Sequence, residues 1–259
     1  MVIPGFNTGF MGAGAQYSPE ATAYFAAMST QPSNARKTLI NNLIVGLVGD
    51  GVWSKLDWLC LMAAHAEQAG RLNAVNPAKS LTAYNSPTFT VDLGFTGNGT
   101  TAYLDIGEEP GASGNKFTQN AAHISVWKNS TNTGVCREIG GSSVNLQIRP
   151  NWGGADGTIS INTTTALPSP ALTSVTKGSI ILSRTDGNNA NYFVNGTGKT
   201  GSSSNIANAM PTALYLLRTA NAYSPSRLAC MTSGGSLSDT DVGNLYSRLN
   251  TYLTAIGAN

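Results

Sequence analysis

Two periodicities divide the chain. From Ser18 to about Ala64 apolar residues recur every three or four positions, as on one face of a helix, whereas from Thr88 onward they fall in short runs punctuated by Gly, Asn, Asp and Ser. Ser18-Pro19-Glu20 reads as an N-cap with proline in the first helical position, and Ala21, Tyr24, Phe25 and Met28 follow at helical spacing. Pro32 ends that helix. Ser33 or Asn34 caps a second, whose face carries Leu39, Ile40, Leu43, Ile44 and Leu47 until Gly49-Asp50-Gly51 breaks it. The next run, residues 52–64, fits either a further helical turn or a short helix feeding a buried strand. The turn-rich stretch beyond Pro77 favours a strand at about Asp57 to Ala63.

The β region offers as candidate strands FTVDL, TAYLDIG, HISVWKN, VNLQIRP, GTISIN, GSIILSRTD, NYFVNG, ALYLLRTA and RLACMTS. Many alternate apolar with polar, which sets one face on a core and the other in water, and turn signals this frequent mark a sandwich or jelly roll. Asp186-Gly187-Asn188-Asn189 and Asn195-Gly196 are strong turn signals, so Ile180 to Val194 reads as a hairpin. The last segment returns to helix: Ser238 and Asp241 make an acidic capping box, Val242, Leu245, Leu249, Tyr252 and Leu253 an apolar stripe, and Gly257 a stop. The expected organisation is an extended arm (1–17), a helical segment (18–56) and a β-sandwich (57–259) closed by a C-terminal helix (238–256).

Charged residues make up only 11% of the 259, hydrophobic ones 41%, and the formal charge is +2. That balance argues against disorder, and no run of Lys or Arg exists to neutralise a row of phosphates, so nucleic acid is not an expected partner. No stretch reaches the ~18 continuous apolar residues of a membrane helix, and the opening residues lack the basic start of a secretory signal. Membrane insertion is therefore not expected. Cys60, Cys136 and Cys230 are widely separated, odd in number and set in apolar or strand-like stretches, which predicts buried free thiols without a disulfide framework or a metal spacing.

The run RLACMTSGGSLSDTDVGNLYSRLNTYLTAIGA (227–258) resembles the closing segment of many phage-encoded concanavalin A-like (laminin-G-like) domains, and ILSRTDGNNANYFVNGTG (181–198) resembles paired strands of the same fold. Residues 36–77 with 85–107 are similar to the N-terminal half of phage and prophage proteins that place a helical segment before a jelly roll. The resemblance implies a mainly β chain, a concanavalin A-like jelly-roll β-sandwich with an N-terminal helical segment and a C-terminal helix. It also implies a non-enzymatic structural or adhesive part of a tailed-bacteriophage particle, assembled in the host cytoplasm and exposed on the virion. The partners it implies are other virion proteins, further copies of the chain and a cell-surface glycan. Two roles compete: a receptor-binding, fibre or collar module, and a capsid decoration protein that makes only protein contacts.

The fold also serves glycoside hydrolases, whose acid and base or nucleophile lie on one strand in a Glu-x-Asp-x-x-Glu pattern, and no strand here carries it. Glu108 and Glu109 adjoin, but they precede Pro110 in a loop and read as a solvated turn, which leaves a glycan depolymerase as the weaker alternative. His65 and His123 stand alone, without a GxSxG elbow, and read as structural hydrogen-bonders. Asp156, Asp186, Asn188 and Asn189 are oxygen-rich loop residues of the kind that hold calcium, yet turn chemistry explains them equally well and no cofactor or metal is expected. For sugar binding, Trp152 in the Gly-rich loop RPNWGGADG is the aromatic candidate for stacking on a pyranose ring, with Asp156, Asn188 and Asn189 as partners for hydroxyls. Trp53, Trp58 and Trp127 read as core.

Overall fold

The computed structural model describes residues 16–131, 136–150, 157–164, 167–169, 177–199, 207 and 209–259. The expected N-terminal arm, apart from Gln16 and Tyr17, lies outside the described residues. Four α-helices are present among them: α1 (Pro19–Ala26), α2 (Asn34–Gly49), α3 (Glu67–Arg71) and α4 (Asp239–Ala255). The strands are β1 (Leu56–Cys60), β2 (Thr82–Tyr84), β3 (Thr88–Thr90), β4 (Gly94–Thr96), β5 (Tyr103–Asp105), β6 (Ala122–Lys128), β7 (Ile139–Gly140), β8 (Leu146–Arg149) and β9 (Gly157–Ile161). They continue with β10 (Leu167–Ser169), β11 (Gly178–Arg184), β12 (Ala190–Val194), β13 (Thr197–Lys199), β14 (Tyr215–Leu216), β15 (Arg218–Thr219), β16 (Ala222–Tyr223) and β17 (Arg227–Gly234).

Two antiparallel sheets face each other. The first runs β13-β12-β11-β6-β17-β4-β3, with β1 also on β17, and the second runs β10-β9-β8-β7-β14-β5-β2; β15 and β16 form a separate hairpin. The expected hairpin is in place, with Ile180 opposite Val194 and Arg184 opposite Ala190. Asn195 and Gly196 both take positive φ (51° and 74°), as a tight turn into β13 requires.

The expectation that strands show one face to water fails for the first sheet, because β6 and β11 are buried along their whole lengths. Ile124, Val126, Ile180, Leu182, Trp58 and Cys60 enter the core between the sheets. Their neighbours Trp127, Ile181, Leu59 and Leu61 enter a second core with Ile44 and Leu47 of α2 and Val242, Leu245 and Leu249 of α4. The order is therefore helices, first sheet, second sheet, and each large apolar side chain buried in that second core contributes roughly 1.5–3 kcal/mol before entropy. Both long helices start as their sequences dictate: the Ser33 hydroxyl accepts from Arg36 N–H, and Ser238 and Asp241 complete both arms of a capping box. Cys60, Cys136 and Cys230 are buried free thiols.

Two expected strands are cut short by left-handed residues. In FTVDL only Phe89 and Thr90 lie in a strand, β3, which starts one residue earlier at Thr88; Val91 is 56% exposed and Asp92 (φ 60°) turns the chain into β4 while its carboxylate takes Arg36 at 2.6 Å. ALYLLRTA breaks at Leu217 (φ 64°) into β14 and β15. Adjacent Leu216 and Leu217 both reach the core between the sheets, which a regular strand with its two-residue period cannot do.

Candidate functional site

The residues singled out for sugar or calcium fare unequally. Trp152 and Asp156 lie outside the described residues. Asn188 and Asn189 sit exposed in the turn between β11 and β12, where their backbone N–H groups donate to Asp186 Oδ1 at 2.7 and 2.8 Å and Asn189 Nδ2 donates to Oδ2 at 2.7 Å. These bonds, the Asn189 amide first, hold the Asp186 carboxyl below its usual range. All three groups build the turn. Among the described residues no group of three or more His, Cys, Asp or Glu is placed to hold a metal ion.

The remaining candidates have structural partners. Glu108 is not the solvated turn residue expected: Oε1 accepts from Trp58 Nε1 at 2.8 Å and Oε2 from Lys79 Nζ at 2.6 Å, because the loop folds back over the sandwich edge. His65 bonds the Thr30 carbonyl at 2.8 Å. His123 is wholly buried; its Nδ1–H donates to Gly235 O at 2.5 Å and its Nε2 accepts from the Thr232 hydroxyl at 3.1 Å. Burial pushes this imidazole down to about 4. Trp58 and Trp127 are core residues and Trp53 is half-buried against the helical core.

A surface that the sequence reading did not assemble lies on the outer face of the second sheet. Tyr84 and Tyr103 are direct cross-strand neighbours on β2 and β5, with rings stacked at 4.8 Å and 6°. Tyr215 on β14 meets Tyr103 edge-on at 5.5 Å, and Tyr223 on β16 lies 6.1 Å from it. Over these rings sits the Arg218 guanidinium, 4.4 Å from the Tyr215 centroid, 4.6 Å from Tyr103 and 5.6 Å from Tyr223. No ion pair involves Arg218 among the described residues; its Nε donates to Ala220 O at 2.8 Å. Such cation–π contacts add roughly 0.5–2 kcal/mol each and fix the planes of the partly exposed rings.

The hairpin carrying Arg218 and Tyr223 is held under strain. Leu217 (φ 64°) and Ala220 (φ 46°) are left-handed, as are Asn85 and Ser86 (54° and 55°) beside Tyr84, so four of the seven non-glycine residues with positive φ among those described flank this surface. Backbone in that region costs of order 1–3 kcal/mol per residue and persists only where the surroundings over-determine it. Here the anchor is a buried network beneath the hairpin. Leu217 N–H donates to Glu138 O, and the Glu138 carboxylate accepts from Ser224 Oγ at 3.0 Å and Ser226 Oγ at 2.7 Å while lying 3.6 Å from Lys128 Nζ. Burial holds the Glu138 carboxyl above its ordinary range, with Lys128 opposing. Above it, Thr219 packs on Gly140, where any Cβ would come within 2.4 Å of Thr219 Cγ2.

Two shallow depressions flank the tyrosines. One, of about 400 Å³, is acidic, with Asp105, Glu108 and Glu109 beside Tyr84. The other, of about 460 Å³, is lined by Thr100, Arg137, Asn221, Tyr223 and Pro225. Arg137 donates from Nη1 to Thr219 Oγ1 at 3.3 Å, and its Nε is buried without a hydrogen-bond partner. Burial lowers the Arg137 guanidinium, and burial followed by the Arg137 charge pushes Arg149 down to about 10. A third depression, of about 390 Å³ at the start of α4, is charge-balanced, since its Lys55 and Lys116 pair with Asp241 and Asp57.

No family profile matches the sequence, and no curated protein sequence matches it. Among solved structures the fold is similar to a Trypanosoma rangeli sialidase in complex with sialic acid, at TM-score 0.57 and 10% identity over 83% of this chain and 39% of that one. It is also similar to the receptor binding domain of botulinum neurotoxin C/D mosaic serotype, at TM-score 0.54 and 7% identity over 75% of this chain and 51% of that one. The chain thus spans about two fifths and one half of those proteins. At such identities the likeness is one of fold: a mainly β antiparallel sandwich of the concanavalin A-like jelly-roll kind with an N-terminal helical segment and a C-terminal helix. It brings no link to a virion.

Proposed function

We propose that this chain is a non-enzymatic carbohydrate- or receptor-binding β-sandwich module that recognises a cell-surface glycan on the outer face of its second sheet. The observation that carries this reading is the convergence of Tyr84, Tyr103, Tyr215 and Tyr223 around Arg218. Tyrosine offers a rigid apolar face to the C–H face of a sugar ring and a hydroxyl to its rim, and Tyr and Arg are the residues in which binding energy concentrates at interfaces. The two similar structures named above are a sialidase in complex with sialic acid and a receptor binding domain, which supports a carbohydrate- or receptor-binding reading of the fold. Shallow depressions imply weak single-site affinity, so useful retention would come from several copies acting together, as in a homo-oligomer.

The finer assignment is to a tailed-phage particle, as a receptor-binding, fibre or collar module exposed on the virion. The sequence resemblance of residues 227–258 and 181–198 to phage-encoded domains supports it. The alternative of a capsid decoration protein that contacts only protein finds support in Val45 and Val48, which leave 47% and 44% exposed surface on the outer side of α2. A depolymerase is disfavoured because both Glu108 oxygens are occupied by Trp58 and Lys79, so the adjoining Glu108 and Glu109 do not form a free acid and base pair.

The test is a glycan array followed by titration calorimetry with the parent chain and with Tyr103→Ala and Tyr223→Ala. The parent should bind glycan at micromolar to millimolar affinity, with each variant weakening it at least ten-fold while still unfolding in one cooperative transition. A parent that retains no glycan, or variants that bind as the parent does, would sink the reading.

A further inference from the structure

The tyrosine surface is electrically lopsided. Beyond Tyr84 lies the depression with Asp105, Glu108 and Glu109, and beyond Tyr223 the one with Arg137. No acidic side chain among the described residues pairs with Arg137 or with Arg218, whereas Arg36 and Arg248 are met by Asp92 and Asp50. Arg137 is held instead by a single 3.3 Å bond to Thr219, with its Nε sequestered from water and unbonded. A cation half-removed from water without a counter-charge is costly, and an arriving carboxylate relieves that cost through the two parallel N–H···O bonds that a guanidinium fork makes. Asn221 and Thr100 supply an amide and a hydroxyl beside it, and Tyr223 supplies the aromatic wall. A volume of about 460 Å³ lies in the range of small-ligand sites.

We propose that this depression is the subsite for an acidic sugar, a saccharide residue carrying a carboxylate, with Arg137 as its clamp. The proposal rests on the glycan-binding reading above and adds to it both a ligand class and a direction. The acidic residue of the glycan lies at the Tyr223 end, and the opposite end at Tyr84 takes a neutral residue because Asp105 and Glu109, which carry no ion-pair partner among the described residues, repel a second anion there.

The experiment compares an oligosaccharide containing a hexuronate with its carboxyl-reduced counterpart, by calorimetry on the folded chain at two salt concentrations. The parent should bind the acidic form at least ten-fold more tightly, with the margin shrinking at high salt. In Arg137→Gln the two forms should bind alike, at the level of the reduced form in the parent, and Arg137→Lys should recover part of the margin because the charge stays and the fork is lost. Tyr103→Ala should weaken both forms. Equal binding of the two forms by the parent overturns the acidic-sugar assignment while leaving glycan binding in place. So does an Arg137→Gln that weakens both forms equally, or inorganic phosphate displacing the acidic form as effectively as free hexuronate does. Binding of neither form by the parent overturns the glycan reading itself. Should Arg137→Gln not fold, the comparison of the two ligands on the parent still decides.

Discussion

His123 offers the sharpest test of the packing between the first sheet and α4. Its ring is fully buried and held neutral, donating from Nδ1 to Gly235 O and accepting at Nε2 from Thr232, whose hydroxyl in turn lies 2.6 Å from Ser125 Oγ. Protonation would convert Nε2 into a donor facing a hydroxyl and place a charge where water cannot reach it. Burial therefore takes the ring from 6.5 to about 4, against the opposing pull of the Gly235 carbonyl and of Asp57 and Asp241. The unfolded chain takes up this proton first as pH falls. The associated stability is whole above pH 6.5, is lost progressively between 6.5 and 4, and stays lost below. At about 1.4 kcal/mol per pH unit the loss at pH 4.5 comes to about 2.5 kcal/mol.

Glu138 works in the opposite sense in part of the same window, because a carboxyl raised by burial favours the folded state at lower pH. Its contribution is common to parent and variant and cancels in their difference. Urea unfolding from pH 7.5 to 4.5 on the parent and on His123→Gln, whose amide can both donate and accept, should show a parent curve about 2.5 kcal/mol steeper. Identical pH dependences, or a His123 proton resonance titrating near 6.5, would refute the argument.

Three further outcomes follow from named contacts. Lys128→Met alone should destabilise by about 3–5 kcal/mol in urea, by stranding the Glu138 carboxylate, while Lys128→Met with Glu138→Leu should lose far less; a double-mutant cycle showing no coupling would contradict the pairing at 3.6 Å. Gly140→Ala should displace Thr219 and with it the Arg218 hairpin, costing about 1–3 kcal/mol and glycan retention together, so retention unchanged in a variant of lowered Tm would detach the hairpin from the site. Truncation at Gly235 removes Val242, Leu245, Leu249, Tyr252 and Leu253 from the helical core, each worth roughly 1.5–3 kcal/mol, and should leave an aggregating chain; cooperative melting at the parent temperature would show α4 to be an external arm.

The fold was legible where local signals and tertiary packing agree. Ser33 and Ser238 cap helices in which Ile44 and Leu245 are buried, and Asn195-Gly196 is the turn its chemistry demands. The helical layer's position was less so. Ser125, Ser183 and Thr232 occupy outward positions on the first sheet and look like a wet face, yet all are buried, because they bond to one another, to His123 and to Leu237 beneath α4. A small hydroxyl side chain satisfied by a neighbour leaves the same alternating pattern as one satisfied by water.

The candidate site was illegible for a more particular reason. Its aromatic members come from β2, β5, β14 and β16, and Tyr84 stood in no expected strand. Read as one strand, ALYLLRTA puts Arg218 on the same face as Leu216, that is, into the core between the sheets. An arginine directed into an apolar core without a partner is a conflict between local pattern and global fold. The chain resolves it at Leu217, whose φ of 64° resets the alternation, keeps that leucine inside and brings Arg218 out over Tyr103 and Tyr215. Positions where pattern and chemistry disagree are where a functional site is expected, since strain is retained there only when something else requires it. In this sequence the misplaced arginine was the one visible sign of the tyrosine surface.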